Sequence, residues 1–285
     1  MFAFVFIVFF ALVNFGIAQE EMMDKDTPPA KPGGNFPGIK ETSPGIFQIG
    51  GVTLDKNTKT VTFPATVNMD HGTLEYLIVE NGGKTHESVF ATKVEPYHLH
   101  LAMLLLGAKV PKPADGAAPP GYMNMEYLKT APKPKGDGVI IQVHWKDGDK
   151  DIVANAEDFL YNDETKAPMT RGPWVYSGSM LSNGVFLAQE EKSIACLVID
   201  PASLIINTRP GSDNNQIWSV RADKIPKAET PVEISIRLQY TSEDLEKIEV
   251  HAVIDDVHVT PPDNSKSKPL SNPSPSPESK PTSTP

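Results

Sequence analysis

Lys84-Thr85-His86-Glu87-Ser88 sets an imidazole beside a carboxylate, and Glu95-Pro96-Tyr97-His98-Leu99-His100 soon adds two more of the chain's seven histidines. A histidine and a carboxylate in a turn beside a sheet can face a cleft, where one orients the other for proton transfer or metal binding. His86, Glu87 and His100 are therefore the candidate catalytic residues, and His86, Glu87 and His98 the candidate metal ligands. The competing role is structural: hydrogen bonds that lock a hairpin. His98 and His100 cannot ligate one ion from a helix, because residues two apart point about 200° away from each other; a strand would put them on one side. Neither G-x-S-x-G nor H-E-x-x-H occurs, so no catalytic constellation is complete.

Three other patterns bear on ligand binding. Gly83-Lys84-Thr85 resembles the end of a phosphate loop, but Ile78 stands where that loop needs Gly, and strand rather than helix follows. Asp147, Asp149, Asp151 and Asp158 match some positions of a calcium loop, yet Ile152 replaces its glycine and Asp158 its final Glu. Asp147-Gly148 is better read as a hairpin turn. Trp174 and Tyr176, with Trp145, are candidate ligand-binding residues, since aromatic faces stack on sugars and peptides; the alternative is that they close a core.

The elements that must position these residues are mostly strands. Gly50–Leu54 and Thr60–Pro64 flank a turn and read as a hairpin, with Pro64 implying an edge or a bulge. Leu74–Val79 is a continuous apolar strand of the kind buried on both faces. Ser88–Thr92 is expected to return beside it as a hairpin after Asn81-Gly82-Gly83. Pro96 suits a helix start and Gly107 its stop. The apolar residues between them predict the most buried element of the domain. Val139–Trp145 and Ile152–Ala154 pair across a turn, and Ala156–Tyr161 suits a single helical turn. Trp174–Ser179, Val185–Ala188, Ile194–Ile199, Val232–Leu238 and Leu245–Val259 read as further strands, and Pro201–Ile206 as a short helix. The sum predicts an α+β fold, mostly antiparallel strands with one buried helix at about 95–106 and one or two short ones.

The ends and the composition bound the rest. Met1–Val13 is uncharged and apolar, and Gly16-Ile17-Ala18 supplies small residues for cleavage before Gln19. A signal peptide over 1–18 is expected, and with it an extracytoplasmic protein, periplasmic or secreted, that keeps no stable membrane anchor. Residues 19–43 read as a flexible linker, 44–260 as one domain with an insertion at about 110–137, and 261–285 as a Pro/Ser-rich disordered tail. The only cysteine, Cys196, lies in an apolar run; it excludes an intramolecular disulfide, an iron–sulfur cluster and a cysteine-based zinc site. A formal charge of −10 repels phosphate backbones and anionic headgroups, so nucleic acid is not an expected partner.

Five ordered blocks carry a family resemblance: Lys84–Ser88, Leu99–Gly107, Ala156–Tyr161, Trp174–Ser179, and Ser193–Asp200 with Pro201–Ile205. From about Gly72 to Leu238 the chain resembles the YdjY-like domain, and the resemblance implies an exported bacterial domain without agreed catalytic residues. The function expected is a non-enzymatic binding or structural module of the cell envelope, free of cofactors, whose partner is an envelope protein or other component. The alternative is a metal-dependent or acid/base enzyme built on His86 and Glu87.

Overall fold

Alternating apolar and polar residues across short turns build the first four strands. The computed structural model describes residues 38–111, 125–241 and 244–245. In it β1 (Ile39–Ser43), β2 (Ile46–Ile49), β3 (Val52–Asp55) and β4 (Thr60–Val67) form an antiparallel meander. Next come β5 (Tyr76–Glu80), β6 (Ser88–Thr92), α1 (Pro96–Leu105), α2 (Met125–Thr130), β7 (Asp137–Asp147) and β8 (Lys150–Asn155). The short pieces β9 (Leu160–Asn162), β10 (Ala167–Pro168), β11 (Trp174–Tyr176), β12 (Leu181–Ser182), β13 (Val185–Phe186) and α3 (Leu187–Glu190) follow. Last are β14 (Ser193–Cys196), β15 (Ile205–Ile206), β16 (Trp218–Val220) and β17 (Pro231–Tyr240).

Eight strands close a ring in the order β4, β17, β7, β11, β15, β14, β5, β6, with β6 pairing back onto β4. Two strands in the ring serve two neighbours on one side. β4 gives its first residues to β3 and Thr66 and Val67 to β6. β7 gives residues 137–139 to β11 and residues 142–147 to β8. Pro64 sits at the first of these changeovers. Its carbonyl accepts from Thr92 Oγ1 at 2.6 Å on the β6 side, so its missing amide hydrogen falls where one neighbour ends and the next begins.

Phe63, Phe90, Ile141, Ile234 and Ile236 from the ring are buried in one core with Leu99, Ala102 and Met103 of α1. Tyr76, Val79, Cys196 and Ile206 form a separate buried cluster, so β5 and β14 are covered on both faces, as the apolar run over 74–79 predicts. Burial pushes the Cys196 thiol far above its usual range, which leaves it an inert, small apolar group.

The expected α+β class is corrected. Among the described residues the chain is mostly β, with 42% in strands and 15% in helices, arranged as an eight-stranded mixed barrel with three short named α-helices. The strands are also not uniformly antiparallel, since β5 pairs β6 and β14 pairs β15 in parallel. The β5–β6 hairpin is therefore absent: the chain folds back through residues 81–87 and re-enters in the same direction. Val185–Ala188 splits into β13 and α3, and Pro201–Ile206 is a turn leading into β15 rather than a helix. Helix α1 starts at Pro96 and stops before Gly107, whose φ of 90° only glycine adopts readily. It is not the most buried element, because Leu104 and Leu105 at its C-terminal end are exposed. Residues 39–43 of the segment read as linker form β1. The signal peptide, the tail and all but Leu245 of the strand expected over 245–259 lie outside the described residues.

Candidate functional site

Parallel pairing of β5 and β6 sets the geometry around Lys84–Glu87. The returning chain brings Glu87 beside Glu75, whose amide donates to the Glu87 carbonyl at 3.0 Å. Residues 85–87 form one 3-10 turn, fixed by Ser88 Oγ donating to the Lys84 carbonyl at 2.6 Å and by Asn68 Nδ2 donating to the carbonyls of Thr85 and Ser88. The turn throws the His86 side chain outward, 78% exposed, with Nε2 3.7 Å from Glu87 Oε2. Lys84 turns inward instead. Its ammonium donates to the Tyr76 hydroxyl at 2.8 Å and stands 3.8 Å from Glu191 Oε2.

Behind Tyr76 the polar chain continues into the protein. The Tyr76 hydroxyl donates to Asp200 Oδ2 at 2.9 Å, and Asp200 Oδ1 accepts from the Ala202 amide at 2.9 Å. Ser203 Oγ reaches the same carboxylate at 3.4 Å and also hydrogen-bonds Ser193 Oγ. Burial holds the Asp200 carboxyl above the usual carboxylate range, against the Ala202 amide and Lys84, which favour its charged form. Burial and then the Asp200 charge push Tyr76 far up, so it stays a phenol that donates. Every member of this chain has a partner. Its effect is to tie the 84–87 turn to the turn after Asp200.

The solvent side of the same turn carries acid/base groups. Burial first, then the Glu87 charge, holds the Glu75 carboxyl above its ordinary range, opposed by a 2.7 Å hydrogen bond from Asn215 Nδ2. Glu75, Glu87 and His86 therefore form a rim able to accept or donate protons. Glu75, Tyr76, Asp200 and Asn215 were missed in the sequence. Glu75 left one signal, as the only charge within the apolar run from Leu74 to Val79.

The other candidates lie elsewhere. His98 and His100 leave α1 in different directions, as their spacing predicts. His98 packs against Gly50 in the β2–β3 turn, with Nε2 3.9 Å from Glu95 Oε2. His100 Nδ1 lies 2.7 Å from the Tyr176 hydroxyl, and its ring is 5.0 Å from Phe186. Burial pushes His100 down to about 4, so it is neutral at ordinary pH. Neither helix histidine joins His86 and Glu87. Among the described residues no group of three or more His, Cys, Asp or Glu side chains is placed to hold a metal ion.

Trp174 and Tyr176 do not line a groove, because both are fully buried. Trp174 Nε1 donates to Glu157 Oε1 at 2.9 Å, and the Arg209 guanidinium lies over its ring at 5.0 Å. Arg209 spends its donors on Glu157, the carbonyls of Thr170 and Gly172, and Asn207 Oδ1. In this buried ion pair, also missed in the sequence, four hydrogen bonds hold the guanidinium. Trp145 packs on Phe159 at 5.9 Å.

Two uncharged segments that meet at Phe186 are the second feature. Residues 96–108 (α1 with its stop) and 177–189 (the β12–β13 hairpin with the start of α3) contain no Asp, Glu, Lys or Arg, in a chain that is 22% charged. Phe186 seats the hairpin on the helix, 6.3 Å from the Tyr97 ring and 5.0 Å from His100. Leu104 (40% exposed) and Leu105 on the helix, and Leu181 (46%) and Val185 on the hairpin, remain in solvent.

A family model, the YdjY domain, matches residues 52–237. No curated protein and no solved structure matches the chain.

Proposed function

The chain belongs to the YdjY domain family, matched over residues 52–237, and from that premise we propose that it is an exported, non-enzymatic binding module of the bacterial cell envelope. The observation that carries the reading is that α1 and the β12–β13 hairpin, two uncharged segments joined at Phe186, leave large apolar side chains exposed. Exposed apolar side chains gathered on one face mark contact surfaces on soluble proteins. Leu104, Leu105, Leu181 and Val185 stand out on two elements that Phe186 holds together. The partner is an envelope protein offering an apolar surface. Anionic lipid fits less well, because a formal charge of −10 opposes approach to it. Export rests on the apolar Met1–Val13 run and the small residues before Gln19.

A photo-crosslinking residue at position 105 or 185 of the full chain, expressed in the envelope, tests the surface. Both positions capture the same protein, and Leu104→Glu with Leu181→Glu lowers capture by at least about tenfold while the melting temperature stays put. Unrelated captures from the two positions, or capture indifferent to the glutamates, would sink the reading.

A further inference from the structure

One imidazole ring touches both the base of the β12–β13 hairpin and the side chain that seats it. At the base, Gly178 and Ser179 both have left-handed backbone, with φ of 75° and 65°. The Ser179 hydroxyl pins this turn, donating to the Ala202 carbonyl at 2.7 Å and accepting from the Ala188 amide at 3.0 Å. His100 packs over the turn, where a Cβ on Gly178 would lie 3.3 Å from its Cε1. The same ring meets Phe186, the hairpin's seat on α1, at 5.0 Å. Its side-chain hydrogen bond is to the Tyr176 hydroxyl, 2.7 Å from Nδ1, a phenol that donates to the neutral imidazole. The other titratable groups of the surrounding elements are engaged elsewhere. On β7, Asp137 stands opposite Tyr176, and its carboxylate accepts from the Lys109 amide at 2.8 Å. On α1, Tyr97 meets the far part of Phe186 at 6.3 Å and His98 packs against Gly50. On α3, Glu190 is exposed. Burial alone displaces the titration of His100.

We propose that His100 is an acid-sensitive latch: its protonation unseats Phe186 and swings the β12–β13 hairpin away from α1, separating the two elements that carry the exposed apolar side chains. The consequence for a partner rests on the binding reading above, whereas the opening itself does not. An added proton turns Nδ1 into a donor, so the bond to Tyr176 has to reverse. It also places a charge among groups that cannot pair with it, which is costly away from water. Lifting the hairpin returns the ring to water at the cost of the Phe186 contacts. The base stays pinned by Ser179, so the motion is confined to the hairpin. The seated ring gives up its proton at about 4, and a ring in water at the ordinary 6.5. Acid therefore favours the open form, and the open-to-closed ratio rises by at most about 300-fold as pH falls through that window.

The test measures the distance between nitroxide labels on Lys93→Cys and Leu181→Cys in the full chain, above and below the titration window; Cys196 is buried and stays unlabelled. The labelled chain gives one short distance at neutral pH and gains a longer one in acid, with its circular dichroism unchanged. His100→Gln, which cannot take the charge, keeps the short distance throughout. Phe186→Ala gives the longer distance at neutral pH already, and so does His100→Arg, which carries a charge without acid. A single distance at both pH values in a chain that stays folded overturns the proposal, and so does an acid opening that survives His100→Gln. Crosslinking to a partner from position 105 falls in acid in the parent and holds in His100→Gln. A chain that opens yet captures nothing at either pH keeps the latch and removes the binding reading.

Discussion

Aromatic and histidine side chains show at residue scale why type alone is an ambiguous signal. Trp174 and Tyr176 have the chemistry of a ligand groove, yet both are buried, one against the Glu157–Arg209 pair and the other against His100. What decided their fate were partners distant in the sequence, and no local pattern marks them. The His100–Tyr176 contact has a measurable consequence. Burial depresses the folded-state value of His100 from the ordinary 6.5 of an imidazole to about 4. The unfolded chain therefore takes up the proton first. Stability is full above pH 6.5 and is lost as pH falls from 6.5 toward 4, by at most about 3 kcal/mol. Urea unfolding at a series of pH values shows this slope in the parent chain, and His100→Gln removes that part of it. Carboxylates titrate in the same window, so the difference between the two chains is the quantity that counts. Equal slopes would mean that His100 is not held neutral by its surroundings.

Helix α1 was readable at element scale in its limits and misleading in its burial. Pro96 and Gly107 mark its ends in the sequence as in the structure. Its apolar residues, however, predict burial all round, and the structure buries Leu99, Ala102 and Met103 while leaving Leu104 and Leu105 in solvent. A uniformly apolar helix carries no periodicity to say which side faces water. The two kinds of position separate in energy. Leu99→Ala, at a fully buried site, should cost about 2–5 kcal/mol by chemical denaturation. Leu104→Ala should stay within roughly 0.5 kcal/mol, as surface changes do. Similar losses at both positions would show that something covers the Leu104 end in the free protein. Strand direction was equally illegible. Leu74–Val79 and Ser88–Thr92 read plainly as strands, but alternation has the same period in either orientation, and the Gly82-Gly83 turn suggested a hairpin. The parallel return of β6 follows from its second partner, β4, which it meets antiparallel at Thr66 and Val67.

Closure of the barrel, at the scale of the whole molecule, depends on β17, the last strand among the described residues. β17 lies between β4 and β7 and pairs with both along almost its full length, from Pro231–Arg237 on one side to Glu233–Tyr240 on the other. Its clean alternation is visible in the sequence, whereas its partner β4, at residues 60–67, is set only by the register that buries Ile234 and Ile236 in the common core. This is why counting strands and helices suggested an α+β fold: a barrel is defined by its closing pairs, and those join residues far apart in the chain. The same topology predicts how the protein fails. Without β17 both β4 and β7 present bare edges, which favours association over folding, and the core loses Val232, Ile234 and Ile236 together. A chain ending at Ala228 should therefore show no cooperative unfolding transition and should aggregate. In the intact chain, circular dichroism and tryptophan fluorescence should report one shared transition in urea. Because these long-range pairs must form before closure is rewarded, refolding should be slow, in the range of milliseconds to seconds. A cooperative transition in the shortened chain would show that the remaining strands close without β17, and that the ring is not the unit of folding.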